Sequence, residues 1–220
     1  MPYTAALFDF DGTLTPSLPL WIAAYQFALE RHGIAATDEE VLRRCFFRDL
    51  SAVAADFGGF TVEEFQPNLD DGLKTAFLRA ELFPQARQLV AHCRDHGLKT
   101  ALVTSSPRYI VIDVLDRLEL SALFDFVICG GDVENYKPHP EPVLATLTAL
   151  RCEAAQAIMI GDSHVDILAG RAAGTRTALF LPHDHHRFHS TERLHASQPD
   201  HIFADHTELP ELLELPRMRS

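Results

Sequence analysis

The sequence predicts an α/β fold: a parallel sheet covered by helices on both faces, interrupted early by a helical insert. Three observations predict it. Short apolar runs that read as buried strands recur along the chain and alternate with helical patterns. Three of these runs end in carboxylate or hydroxyl residues, and open α/β sheets bind ligands at the carboxyl ends of their strands. Residues 17–83 contain no convincing strand, only helical periodicity and helix-start signals.

The first strand is expected over Thr4–Phe8, where Ala5-Ala6-Leu7-Phe8 is wholly apolar. Asp9-Phe10-Asp11-Gly12-Thr13 is its exit, and Gly12 permits a sharp turn. In the insert, Trp21, Ala24, Tyr25 and Ala28 share one helical face, and Gly33 suits a C-terminal stop. Thr37 with Glu40 and Thr61 with Glu64 have capping-box spacing, and Gly58-Gly59 separates the helices between them. The insert's aromatic residues, Trp21, Tyr25, Phe27, Phe46, Phe47, Phe57 and Phe60, are expected to pack its interior. Further strands are expected over Lys99–Val103, Phe124–Cys129, Gln156–Ile160, Arg176–Leu181 and His201–Phe203. The second runs into Thr104-Ser105-Ser106, and a helix starting at Pro107 would take Ser106 as its N-cap. The fourth runs into Gly161-Asp162-Ser163-His164-Val165-Asp166, with a helix from about Ser163. Ala169, Gly170, Ala172, Ala173 and Gly174 are small, which suits close packing of that helix on the sheet.

A net charge of -12 argues against a nucleic-acid partner, which needs a basic face. The four cysteines form no CxxC pair and sit in apolar or helical stretches, so they are expected to be reduced and buried. No apolar run is long enough to span a bilayer, and no signal peptide precedes the first strand. The expectation is a cytoplasmic protein without membrane partners.

Asp9 and Asp11 are two carboxylates two residues apart at a strand end. Such a pair suits Mg²⁺, which takes hard oxygen ligands, and it suits covalent phosphoryl transfer. It is also compatible with a turn carrying two solvated acids. Asp162 and Asp166 stand at i and i+4 across a second strand-to-helix junction. Tyr136-Lys137-Pro138 follows the third strand, and Lys137 alone would read as an exposed loop lysine.

Taken in order, the D-x-D-G-T, strand-Thr, Lys-Pro and G-D-S-x-x-D motifs resemble the haloacid dehalogenase-like superfamily. The nearest branch is that containing phosphoglycolate phosphatase and β-phosphoglucomutase. The resemblance runs from about Ala5 to about Leu213 and is weakest between Ser17 and Phe83. It implies a Rossmann-like catalytic core at 1–16 and 84–220, with a small α-helical cap at 17–83. It implies Asp9 as nucleophile, forming an aspartyl-phosphate, and Asp11 as general acid and base. Thr104 would bind a phosphate oxygen, with Ser105 and Ser106 as further donors near a helix N-terminus. Lys137 would neutralise charge on Asp9 and the transferring group. Mg²⁺ would be held by Asp9, Asp162 and the Asp11 carbonyl, with Asp166 on the metal or its waters.

The expected activity is Mg²⁺-dependent hydrolysis of a small phosphorylated metabolite, phosphoglycolate-like or a sugar phosphate. A phosphomutase of the same fold is the first alternative, and Trp21 stands where the mutase branch carries a histidine. A non-catalytic phosphate-binding relic is the second. Asp11 argues against dehalogenation, which needs no leaving-group acid. No lysine lies between Asp9 and Arg48 to form the Schiff base of a phosphonate hydrolase. Pro16 replaces the acid usual after the first motif in phosphoglycolate phosphatases, so substrate identity stays open, as does oligomeric state. Arg48 and Lys74 are candidate cap contacts for a substrate anion. His183, His185, His186, His189, His195, His201 and His206, seven of the 12 histidines, gather near the C-terminus and are expected in a solvated loop, with a transition-metal site as the alternative.

Overall fold

A six-stranded, all-parallel sheet carries the larger part of the chain, in the order β3-β2-β1-β4-β5-β6. The computed structural model describes residues 3–182 and 190–218. The strands are β1 (Ala5–Phe8), β2 (Lys99–Pro107), β3 (Phe126–Gly130), β4 (Ala157–Gly161), β5 (Arg176–Phe180) and β6 (His201–Phe203). All six expected strands are present. The chain divides into two compact units, Met1–Pro16 with Glu81–Ser220, and Ser17–Ala80.

In the first unit, β1 is central because nothing in it is polar and both its faces are covered. Leu7 pairs with Ala101 of β2 on one side and Met159 of β4 on the other. Side chains alternate across a strand. Ala5, Leu7, Ala101, Val103, Ala157 and Met159 form one buried cluster with Val143, Leu147 and Leu150 of α7 (Glu141–Leu150) and Ala169 and Ala173 of α8 (His164–Ala173). Their neighbours Ala6, Phe8, Leu102, Ile158 and Ile160 are equally buried. A strand covered on both faces needs such a continuous apolar run. Further helices are α5 (Ala86–Asp95) and α6 (Arg108–Arg117), both packed on β2, and the short α9 (Thr191–Ala196) and α10 (Leu209–Leu212). Gly170 has a packing reason to be glycine, since a Cβ there would lie 2.8 Å from the Met159 Cβ. Ala172 and Gly174 are exposed and take no part in that packing; Gly174 ends α8 at φ +84°.

The second unit contains α1 (Leu18–Arg31), α2 (Asp38–Cys45), α3 (Leu50–Phe57) and α4 (Val62–Phe77). Thr37 and Thr61 make the two expected capping boxes. The start of α3 escaped the sequence pattern: Asp49 caps it by accepting the Ala52 N–H at 2.7 Å. Helices α1 and α4 pack face to face, with Gly72 so close that a Cβ would lie 2.7 Å from the Ala24 carbonyl oxygen. Trp21, Tyr25, Phe60, Phe65 and Phe77 form the aromatic interior. Phe47 departs from the expectation: it is 58% exposed, at a backbone position with φ +56°. Cys45, Cys93 and Cys129 are free and buried, Cys152 half-buried, and burial pushes the thiol pKa of Cys45 and Cys93 up to about 12.

Candidate active site

The sheet order reverses direction at β1, because β2 lies on one side of it and β4 on the other. The crevice beyond the carboxyl ends of such strands is where this architecture exposes polar groups. Asp9 follows β1 directly, and its N–H donates to the Ile160 carbonyl at 2.8 Å, extending the ladder by one residue. The chain then closes a tight turn: Leu14 N–H and Thr15 N–H donate to the Phe10 carbonyl, and Gly12 N–H donates to Thr15. Asp11 stands in this turn, and its carboxylate accepts the Ser106 hydroxyl from the end of β2.

That bond corrects the expected role of Ser106. The N-cap position of α6 is Pro107, and Ser106 makes no cap, because β2 continues as strand to Pro107 and aims the hydroxyl at Asp11. Thr104 is buried, and its hydroxyl accepts the Ser106 N–H at 3.0 Å. Ser105 is exposed at the strand end. Its carbonyl approaches β3 so closely that a Cβ at Gly130 would lie 2.3 Å from it.

Lys137 is buried, and its three ammonium N–H groups are all used. They donate to Asp9 at 2.7 Å, Asp166 at 2.6 Å and the Val103 carbonyl at 2.8 Å. The peptide bond that follows, to Pro138, is cis. Burial alone would lower the Lys137 pKa, but the Asp166 and Asp9 carboxylates outweigh it and hold the ammonium above its usual range. Asp9 moves the other way: burial, then the Asp166 charge, raise its pKa well above the carboxylate range, against the pull of Lys137.

Asp162 and Asp166 leave β4 on either side of the α8 N-terminus. Asp166 accepts the Ser163 N–H at 3.1 Å and the Ser163 hydroxyl at 2.5 Å through one oxygen, while the other oxygen takes Lys137. Both oxygens are therefore engaged, and the spacing S-x-x-D is itself a helix-start signal. Gly161 lets Asp166 fold back, since a Cβ there would lie 2.4 Å from the Asp166 Cβ. Gly12 has two reasons to be glycine. Its φ is +73°, and an added Cβ would lie 2.0 Å from the Asp162 carboxylate oxygen.

Gly12→Ala is expected to cost about 1–3 kcal/mol from backbone strain and to push Asp162 out of place. Gly33 has the same φ of +73° with open space around its Cβ position, so Gly33→Ala carries the strain alone. Chemical denaturation and activity of the two variants should show both destabilised and only Gly12→Ala inactive.

Carboxylate oxygens of Asp9, Asp162 and Asp166 lie within 4.8 Å of one another, the one such grouping of metal-ligating side chains among the described residues. The donor set is all oxygen, and several carboxylates face a single lysine. That chemistry fits a hard divalent cation. Arg48 lies in the second unit and shares the Asp56 carboxylate with Arg44, at 3.0 and 3.1 Å. Lys74, also there, pairs with Asp71 at 3.6 Å. Of the C-terminal histidines, His183, His185, His186 and His189 lie outside the described residues. His206 departs from the expected solvated loop: it is buried against Phe180.

Comparison with known proteins places this geometry. A family model described as haloacid dehalogenase-like hydrolase matches residues 6–180. The chain is 31% identical to an N-acetylmuramic acid 6-phosphate phosphatase of Pseudomonas putida over 189 residues, 81% of this chain and 82% of that protein. It is 32% identical to the pyrophosphatase PpaX of Bacillus pumilus over 176 residues, 78% and 80% of the two chains. A crystal structure of a predicted phosphoglycolate phosphatase from Haemophilus somnus 129PT superposes with a TM-score of 0.82 at 23% identity, covering 96% of this chain and 97% of that one.

Proposed function

Because the chain belongs to the haloacid dehalogenase-like hydrolases and is a phosphohydrolase, we propose that it is a Mg²⁺-dependent phosphatase working through an aspartyl-phosphate on Asp9. One observation carries the reading: a buried Asp9 carboxylate held by Lys137, with a second carboxylate, Asp11, two residues on and held by Ser106. A lone buried acid would protonate and lose its nucleophilicity. Here the Lys137 ammonium offsets part of that burial and fixes one oxygen of the carboxylate.

The Asp9 oxygen attacks phosphorus as the bond to the leaving oxygen breaks, and Asp11 gives that oxygen its proton. Asp11, now anionic, takes a proton from the water that displaces phosphate from Asp9. Ser106 holds the Asp11 carboxylate toward the site in both steps. Thr104, at the end of β2, binds a phosphoryl oxygen, with the exposed Ser105 beside it. Asp9, Asp162 and the Asp11 carbonyl would hold Mg²⁺, which when bound offsets the negative charge of the carboxylates and the phosphoryl group. Asp166 accepts from Lys137 and Ser163 and so orients Lys137, with a lone pair left toward the metal or its waters.

The substrate is a small phosphorylated metabolite, a sugar phosphate or a phosphoglycolate-like acid. Residues 17–83 act as its cap, with Arg48 a candidate contact. Hydrolysis is favoured over mutase chemistry by Trp21. No helix among the described residues is long and apolar enough to cross a membrane, and we place the enzyme in the cytoplasm.

Phosphate release from a panel of sugar phosphates, phosphoglycolate and pyrophosphate tests this reading. Release from at least one monoester is expected with Mg²⁺ and should fall to background in EDTA. Release unaffected by EDTA would remove the metal from the proposal. Release from pyrophosphate alone would change the substrate class.

A further inference from the structure

The turn that carries Asp11 is anchored twice. Ser106 holds the carboxylate, and a histidine outside the four motifs holds the backbone. His206 is 2% exposed. Its Nε2 lies 3.0 Å from the Thr13 carbonyl oxygen and its Nδ1 lies 3.2 Å from the Pro84 carbonyl oxygen. Thr13 is two residues after Asp11. Pro84 belongs to the segment that returns to the sheet unit, and Phe83 N–H already donates to Leu14 at 2.9 Å. The imidazole therefore lies between the strand exit and the returning chain, within hydrogen-bond distance of one carbonyl from each.

The ring is held in place by packing. It stacks on Phe180 with centroids 4.3 Å apart, and Phe83 and Phe203 flank it at 6.0 and 6.3 Å. The short loop presenting it is fixed by its own acids. Asp205 accepts the Thr207 N–H and hydroxyl, and Glu208 accepts the Ala204 and Asp205 N–H groups. Carbonyl oxygens only accept, and a neutral imidazole has one N–H to give. The contact to Thr13 is the shorter of the two and the more buried.

We propose that His206 is a positioning residue for the acid step: its Nε2–H, bonded to the Thr13 carbonyl, sets the turn that aims the Asp11 carboxylate at the leaving oxygen. The proposal rests on Asp11 being the general acid. A small misplacement of a catalytic group costs large factors in rate. The cost falls on substrates that need the acid. An alkyl phosphate leaves as a strongly basic alkoxide and needs the proton; p-nitrophenyl phosphate leaves as a weak base and hardly does.

The experiment measures kcat/KM, which reports phosphoryl transfer to Asp9 and not the later hydrolysis shared by all substrates, on glycerol 2-phosphate and on p-nitrophenyl phosphate for the full chain, for Asp11→Asn, and for three His206 variants. His206→Phe keeps the ring stack and loses the N–H donor. His206→Gln keeps a donor in the Nε2 direction, and His206→Asn keeps one in the Nδ1 direction. The alkyl-to-aryl kcat/KM ratio should fall about tenfold or more in Asp11→Asn, His206→Phe and His206→Asn, and His206→Gln should restore it. A ratio that falls in Asp11→Asn but holds in the His206 variants overturns the proposal alone, leaving His206 structural. A ratio unchanged in Asp11→Asn overturns the Asp11 assignment, and the proposal falls with it. Should His206→Phe fail to fold, the Gln and Asn pair still decides, since each keeps one donor and differs only in which carbonyl it reaches.

Discussion

Asp9→Asn is expected to abolish turnover, by about 10⁴-fold or more, while the protein stays folded. Losing a nucleophile costs on that order in enzymes that form covalent intermediates. The fold should tolerate the change because Asn has the same shape and lacks the charge. Burial and the neighbouring Asp166, Asp162 and Asp11 carboxylates raise the Asp9 pKa well above its ordinary value. A carboxyl whose pKa is raised on folding binds its proton more tightly in the native state, so its ionised form weakens the fold at neutral pH. Lys137 keeps Asp166 as its charged partner, so in metal-free protein Asp9→Asn is expected to melt no lower than the parent. Phosphate release and thermal unfolding, measured on the same preparation, check both halves. A folded variant with near-parental turnover would remove Asp9 as nucleophile. An inactive variant that melts far lower would leave the loss of activity unexplained by chemistry.

Lys137→Met is expected to have the second large effect, different in kind. Lys137 has 3% of its side chain exposed and is the cation facing Asp9 and Asp166. Removing one partner of a buried ion pair costs about 3–5 kcal/mol, because the remaining charge is left uncompensated. Here two carboxylates lose their partner together and the Val103 carbonyl loses a donor. Turnover should fall about 10²-fold or more, the scale for losing one charge-stabilising donor. Adding Asp166→Asn separates the two effects. The double variant removes one of the stranded charges, so it should regain much of the stability and little of the turnover. Denaturant unfolding and kcat of the two variants and the parent measure this; recovery of turnover by the second change would make Lys137 structural rather than catalytic.

The sheet was legible because burial on both faces leaves a strand no freedom of composition. Ala5–Phe8 and Ala157–Gly161 are apolar at every position, and the acids that follow them stand out for that reason. The end of β2 was less legible. Thr104-Ser105-Ser106 reads as a loop because its side chains are polar, yet it is strand, with a register shift against β3 between Val103 and Pro107. Ser106 shows why local rules fail at a site. Its spacing to Pro107 signals a helix cap, but its partner is Asp11, 95 residues away, and no local pattern records that. Asp166 shows the converse. Its distance from Asp162 suggests a second metal ligand, and its distance from Ser163 signals the helix start that also engages it. His206 was hidden by its company, since six other histidines in the same stretch suggested solvent and only tertiary packing buries this one. Substrate identity was not legible at all. Charges of the second unit, such as Arg48 on Asp56, pair with one another, and such pairs look alike in sequence whether or not they meet a ligand.

The most direct test traps the intermediate. The protein would be mixed with an accepted phosphate monoester and Mg²⁺, quenched within a turnover, treated with borohydride and digested for mass spectrometry. Borohydride reduces an acyl phosphate to the alcohol and leaves free carboxylates alone, so a phosphorylated Asp9 becomes homoserine. Homoserine at position 9, dependent on substrate and absent with EDTA, is the predicted result. Turnover without any change at position 9, or with the change at Asp11, Asp162 or Asp166 instead, would contradict covalent catalysis by Asp9.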